Sequence, residues 1–340
     1  MKNIIIFYPS FERGGATKVL INLIKYFSKK KISVYLITNK ISNDFKNNKF
    51  IKTLVITNNK VRFINNRITT SFKAAILMIK LLKILNKDQS IILSMQSNFF
   101  SALIGYFFKF KTIIRVSEDP CGATKYADNK LFAYIIFITK FLTYNLSYKI
   151  IANAKKSQEC IKKFTYKKNK VILLNNPTLL KLSKVKNLKS KNYFLNIGRY
   201  CKQKNQSFLI DTFYKFNKEN DNYTLVLNGD GPDKKKLKNK VNKLKLNKKV
   251  KFIGWKKMND NLYKKAKLLI HTSYYEGMPN VLIEAINNQI PVIAFNSSGV
   301  EDLLLKGRGG EIFYNMSSKE LLNKINFSLN HYDKSLKKTF

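Results

Sequence analysis

The chain has 340 residues, 45% hydrophobic and 13% aromatic, which is enough for two α/β domains that each bury a core. Its 64 basic and 20 acidic residues leave a net charge of +44, a field that attracts anions without choosing between nucleic acid, anionic lipid and small phosphorylated ligands. Cys121, Cys160 and Cys201 are far apart with no C-x-x-C spacing, and His271 and His331 are the only histidines. Neither a disulfide framework nor a structural zinc site nor a histidine triad is expected, and the thiols suit a reducing compartment.

From the N-terminus, "MKNIIIFYPSFERGG" holds an apolar run too short for a signal segment and reads as a first strand. Lys18 to Ser28 places Val19, Leu20, Leu23, Ile24 and Phe27 on one helical face. Further strands are expected in "ISVYLIT", "TLVIT", "SIILSM", "TIIRVS", "KIIANA" and "VILLNNP". Leu131 to Ala152 is strongly apolar but interrupted by Lys140, too short a run to span a bilayer, and reads as a buried helix. A helix lying on the bilayer surface is the alternative there and for "SFKAAILMIKLLKIL". A polar, lysine-rich stretch follows, and the alternation restarts with "YFLNIG", "YTLVLNG", "VKFIG", "KLLIHTS" and "PVIAF". Two doubly wound α/β domains are expected: 1–178, a linker over 179–191, and 192–316, with a helical segment over 317–340 that crosses back to the first domain.

Most cations are lysines, beside abundant Asn, Ile, Phe and Tyr, so much of the charge reads as a solvated coat set by composition bias. Against it Arg13, Arg62, Arg67, Arg115, Arg199 and Arg308 stand out, since the planar guanidinium fork grips anions in a way lysine does not. The stretch "YYEGMPNVLIEA" carries two carboxylates, Glu276 in a turn after a buried strand and Glu284 in the helix that follows, with Pro279 fitting the first helical position. Free amides at such a helix start favour an anion, while carboxylates accept from hydroxyls. A ligand with both phosphates and hydroxyls fits, as a sugar nucleotide does.

E-G-M-P-N-V-L-I-E resembles the E-x7-E motif of glycosyltransferase family 4, a retaining class with the GT-B fold. "LNIGRYCKQKNQSF", "LVLNGDGPDKKKL", "VKFIGW", "ERGGATKVLINL" and "VILLNNP" are similar to that family's other blocks, in the same order along nearly the whole chain. The resemblance implies two Rossmann-like domains facing each other across a cleft. It implies that Arg199 and Lys204 grip the donor diphosphate, Glu276 contacts the transferred sugar, and Glu284 holds the ribose hydroxyls. It also implies donor contacts from Gly14, Gly15, Gly229 and Gly231, and from the backbone of Gly277, Met278, Pro279 and Asn280, with Phe252 near the base or in the core. Acceptor-side candidates are Arg13, Arg115 and Glu118, with a buried ion pair between the last two as the structural alternative. No cofactor or metal is expected, and UDP is the expected carrier.

The expected activity is transfer of a sugar to a glycan or lipid-linked acceptor in cell-surface polysaccharide or lipopolysaccharide synthesis, in the cytoplasm or on the inner face of an anionic membrane. A GT-B epimerase or an inverting transferase would share the fold. A glycoside hydrolase also pairs carboxylates but needs no diphosphate grip. A nucleic-acid-binding protein would explain the charge, yet clustered arginines and aromatic stacking platforms are missing, so no nucleic-acid partner is expected.

Overall fold

The computed structural model describes residues 2–12, 14–40, 43, 45, 47–56, 66–178, 191–256, 263 and 265–331, without the side chains of 66 and 67. The chain divides into two compact units, Met1–Thr178 and Leu179–Phe340. Arg13, Arg62, the expected linker up to 190 and the residues after 331 lie outside the described set.

The first unit is built on a parallel sheet of β1 (Asn3–Phe7), β2 (Ser33–Thr38), β3 (Ile51–Val55), β4 (Ser90–Ser94), β5 (Lys111–Val116), β6 (Lys149–Ala152) and β7 (Val171–Leu173). Their spatial order is β3-β2-β1-β4-β5-β6-β7. The helices are α1 (Gly15–Lys29), α2 (Asn66–Leu82), α3 (Asn98–Phe107), α4 (Pro120–Lys125), α5 (Lys130–Tyr144) and α6 (Lys155–Lys163). Alternate side chains of β1 serve opposite layers: Ile4 and Ile6 meet Val19, Leu20 and Ile24 of α1, while Ile5 and Phe7 meet Met78 of α2 and Ile104 of α3. Burial on both faces explains why the central strands read as continuous apolar runs.

The second unit repeats the plan with β8 (Tyr193–Ile197), β9 (Thr224–Asn228), β10 (Val250–Phe252), β11 (Leu268–His271), β12 (Val292–Phe295) and β13 (Glu311–Phe313), all parallel, in the order β10-β9-β8-β11-β12-β13. Its helices are α7 (Gln206–Asn217), α8 (Lys234–Lys243), α9 (Asn280–Asn287), α10 (Val300–Leu303) and α11 (Ser318–Asn330). Phe213 of α7 and Leu321 of α11 pack with Phe194, Leu225 and Ile270 on one face, while Leu282 and Ala285 of α9 pack with Leu195 and Leu269 on the other. In each sheet the strand order reverses between the first and fourth strands, β1/β4 and β8/β11. A crevice opens at such a switch point, outside the strands' carboxyl ends.

Four expectations change. The apolar stretch from Leu131 is not one buried helix: α5 ends at Tyr144, β6 takes up residues 149–152, and α5 buries only its inner side, leaving Leu131 72% exposed. β13 was not expected, because it is three residues long and begins with a carboxylate; Lys324 of α11 makes that burial tolerable, its Nζ lying 2.9 Å from Glu311 Oε2. Pro279 stands just before α9 rather than inside it. Finally, Cys121 and Cys160 form a disulfide although 39 residues separate them, because α4 follows β5, α6 follows β6, and those strands are neighbours. Spacing along the chain could not report that proximity, and it removes the argument for a reducing compartment.

Candidate functional site

The second unit's switch point brings two loops together. After β8 the chain runs through Gly198, Arg199 and Tyr200 into a short 3-10 turn, Lys202–Lys204. After β11 it runs from His271 through Glu276 to α9. The loops are stitched to each other: Gln203 Nε2 donates to Tyr275 O (2.8 Å), Tyr274 N donates to Gln203 O (2.9 Å), and Thr272 Oγ1 donates to Lys204 O (3.0 Å). The backbone of Lys204 is thereby fixed beside Glu276.

Lys204 Nζ contacts Glu276 Oε1 across 72 positions of sequence. His271 Nε2 lies 3.3 Å from the same oxygen, close enough to steady the carboxylate. Burial alone would raise the Glu276 carboxyl, but the Lys204 ammonium and the imidazole outweigh it and hold the carboxyl well below its usual range. Burial pushes His271 down, which keeps the ring neutral near pH 7. Both groups fall on Oε1, so Oε2 remains to accept from a ligand hydroxyl, and the ammonium keeps two of its three donors for anionic oxygens. Ser273 Oγ and Ser297 Oγ, just beyond β11 and β12, are buried and unsatisfied, a further mark of a site built for polar ligand atoms.

Arg199 is exposed, with its carbonyl held by Gln206 Nε2 (3.2 Å). Glu284 lies on α9 and accepts from Tyr263 Oη at 2.5 Å; burial first, and then the carboxylate, push that phenol well above its usual range. A Cβ on Gly229 would stand 1.9 Å from Gly198 O, and one on Gly231 2.3 Å from Tyr200 O, so these glycines let the turns after β8 and β9 touch. Gly277 and Met278 are buried, and Gly299, at φ 79°, lets the loop after β12 press on them: a Cβ there would stand 2.3 Å from Gly277 O. Phe252 packs edge-on against Tyr200, with ring centroids 5.8 Å apart, which favours its core reading.

In the first unit, Gly15 opens α1 and Gly14 precedes it in open space, where a Cβ would meet nothing within 4 Å. Arg115 and Glu118 do not pair. Arg115 is buried, donating to Ser117 Oγ (2.8 Å) and Asn176 Oδ1, and burial brings its guanidinium down to about 10. Glu118 is half exposed and meets Lys140 Nζ of α5 at 3.3 Å. Sequence reasoning missed His271 and Tyr263 as members of the second unit's site. The only available signal for His271 was its place at the end of a buried strand, five residues before Glu276.

Two parallel-sheet Rossmann-like domains make the fold that of the GT-B glycosyltransferases, and the lysine–glutamate pair stands at the second unit's switch point. Residues 181–338 match the family model described as glycosyl transferases group 1. The chain is similar to an uncharacterised glycosyltransferase of Methanocaldococcus jannaschii, 30% identical over 198 residues, 54% of this chain and 48% of that protein. It is also similar to the amylovoran biosynthesis glycosyltransferase AmsD of Erwinia amylovora, 32% identical over 37% of this chain and 35% of that protein. The chain therefore spans half or less of the length of these relatives. A longer match, 25% identical over 89% of this chain and 83% of its relative, is to an N-acetylgalactosamine-N,N'-diacetylbacillosaminyl-diphospho-undecaprenol 4-alpha-N-acetylgalactosaminyltransferase of Campylobacter jejuni. Among solved structures, HepE of Anabaena with UDP and glucose superposes with a TM-score of 0.79 at 18% identity, covering 100% of this chain and 92% of HepE. WaaG, a glycosyltransferase involved in lipopolysaccharide biosynthesis, gives 0.78 at 16% identity, covering 99% and 93%. Both likenesses are likenesses of fold.

Proposed function

We propose that the protein is a retaining glycosyltransferase that moves a sugar from a nucleotide sugar, UDP-linked in this reading, to a hydroxyl of a glycan or lipid-linked acceptor in cell-surface polysaccharide or lipopolysaccharide synthesis. The observation that carries the reading is the contact of Lys204 with Glu276 at the β8/β11 switch point, a cation and a hydroxyl acceptor set side by side. In this reading Glu276 Oε2 accepts from the transferred sugar. Lys204 and Arg199 meet the charge that grows on the departing diphosphate, in place of a metal ion. Glu284 holds the ribose, and the glycine-lined turns let the backbone come close to the donor. The bond between the anomeric carbon and the phosphate oxygen breaks, and the acceptor oxygen bonds that carbon on the same face. The acceptor proton goes to the leaving phosphate. Arg115 and Glu118 serve the acceptor side.

The relatives support the sugar-transfer class, and the UDP-bound structural neighbours support the choice of carrier. The test is release of UDP or GDP from a panel of nucleotide sugars, with the product's anomeric configuration read by NMR. One UDP-sugar is expected to be turned over with its configuration kept, and Glu276→Gln to lower kcat by about 100-fold. An inverted product, a free epimer or no turnover by folded protein would contradict the reading.

A further inference from the structure

Glu276 and Glu284 are held by different kinds of donor. Glu276 meets the ammonium of Lys204, whereas Glu284 Oε2 accepts from the neutral phenol of Tyr263 at 2.5 Å, across 21 positions of sequence. The Tyr263 ring is 2% exposed and packs with Ala266 and Leu269, and with Leu282 and Ala285 of α9. Its carbonyl accepts from Ala266 N (2.8 Å), which fixes the residue just before β11. A side chain so anchored delivers its hydroxyl to one place, and a hydrogen bond to a carboxylate is among the stronger kinds.

Glu284 gains from such an anchor. It is partly buried on α9, three rotatable bonds separate its carboxylate from the backbone, and a ligand that must itself order those bonds loses affinity. Tyr263 orders them beforehand. Burial and the neighbouring carboxylate push the phenol well above its usual range, so it stays a protonated donor. A phenol in this place, unlike an ammonium, orients the carboxylate without cancelling its charge. Since a carboxylate accepts several hydrogen bonds, one oriented in this way still takes hydroxyl donors while it repels phosphate oxygens. The part of a nucleotide that fits is the ribose.

We propose that Tyr263 is a positioning residue: its hydroxyl presets Glu284 to read the ribose hydroxyls, and the pair makes the donor site selective for a ribonucleotide over its 2′-deoxy analogue. The inference rests on the reading of Glu284 as the ribose holder. The analogue leaves the preset carboxylate short of one donor, and a site built to pair with a hydroxyl discriminates against a ligand that lacks it.

Calorimetric titration with UDP and with 2′-deoxy-UDP tests it on the full chain, on Tyr263→Phe, on Glu284→Ala and on the double variant. Phenylalanine keeps the ring in its apolar surroundings and removes only the hydroxyl. The wild type is expected to bind UDP at least about tenfold more tightly than 2′-deoxy-UDP. Tyr263→Phe should weaken UDP about tenfold while changing 2′-deoxy-UDP by less than about threefold. In the Glu284→Ala background the same substitution should change UDP affinity by less than about twofold, because the hydroxyl acts through the carboxylate. A merely structural role would weaken both nucleotides alike and would persist without Glu284, and that result overturns the proposal. A wild type that binds the two nucleotides equally overturns it without any variant. UDP binding that depends on Glu284 but is untouched by Tyr263→Phe also overturns it, and leaves the sugar-transfer reading in place. No UDP binding by the folded wild type overturns both.

Discussion

Glu276 holds its charge in a nearly closed space because Lys204 stands against it, so the two residues are a unit. Lys204→Met should destabilise the protein by about 3 kcal/mol at pH 7, since it leaves a buried carboxylate with only a neutral imidazole beside it. Urea unfolding checks this, and adding Glu276→Gln to the same chain should recover part of the loss. The acid side follows from linkage. The folded Glu276 carboxyl is depressed, so the stability it contributes is fully present above its unfolded value of about 4.3 and is lost as pH falls below that. His271 is also depressed by burial, so the unfolded chain binds more protons below about pH 6.5 and stability falls as pH drops from there. His271→Asn should flatten the dependence just below about pH 6.5; an unchanged slope would show that the ring does not titrate on unfolding. Glu276 and Lys204 were legible as motif residues. Their direct contact and the part of His271 were not, because contact across 72 positions is set by strand order rather than by spacing.

At the scale of elements, the site depends on how closely turns approach one another. Gly229→Ala would drive a Cβ into Gly198 O, so the turn that carries Arg199 must move. A cost of about 2 kcal/mol in thermal or urea unfolding is expected, with weakened nucleotide binding; a variant with wild-type stability would show that the turn yields without strain. The strands were legible where both faces are buried, because an unbroken apolar run has few other uses, and β1, β8 and β11 are of that kind. β13 escaped because its buried carboxylate depends on Lys324, a partner thirteen residues away on another element. α5 was misread for a related reason: apolar content shows that a face seeks cover but not what supplies it.

For the whole molecule, one doubly wound plan occurs twice along the chain, and within the second unit it explains how Lys204 and Glu276 meet across 72 positions. Each strand's carboxyl end contributes a short turn, and the reversal of strand order brings the turns after β8 and β11 together. The net charge of +44 is a property of the entire surface, and it raises encounter with any anion, so affinity for a phosphorylated ligand carries meaning only when named side chains control it. In the proposed function the second unit holds a nucleoside diphosphate through Arg199 and Glu284. Calorimetric titration of the protein with UDP and with GDP, repeated on Arg199→Ala and Glu284→Ala, tests it most directly. The account predicts saturable binding of UDP, weakened at least about tenfold by each substitution in chains that remain folded. No binding by the folded wild type, or binding indifferent to both substitutions, would contradict it.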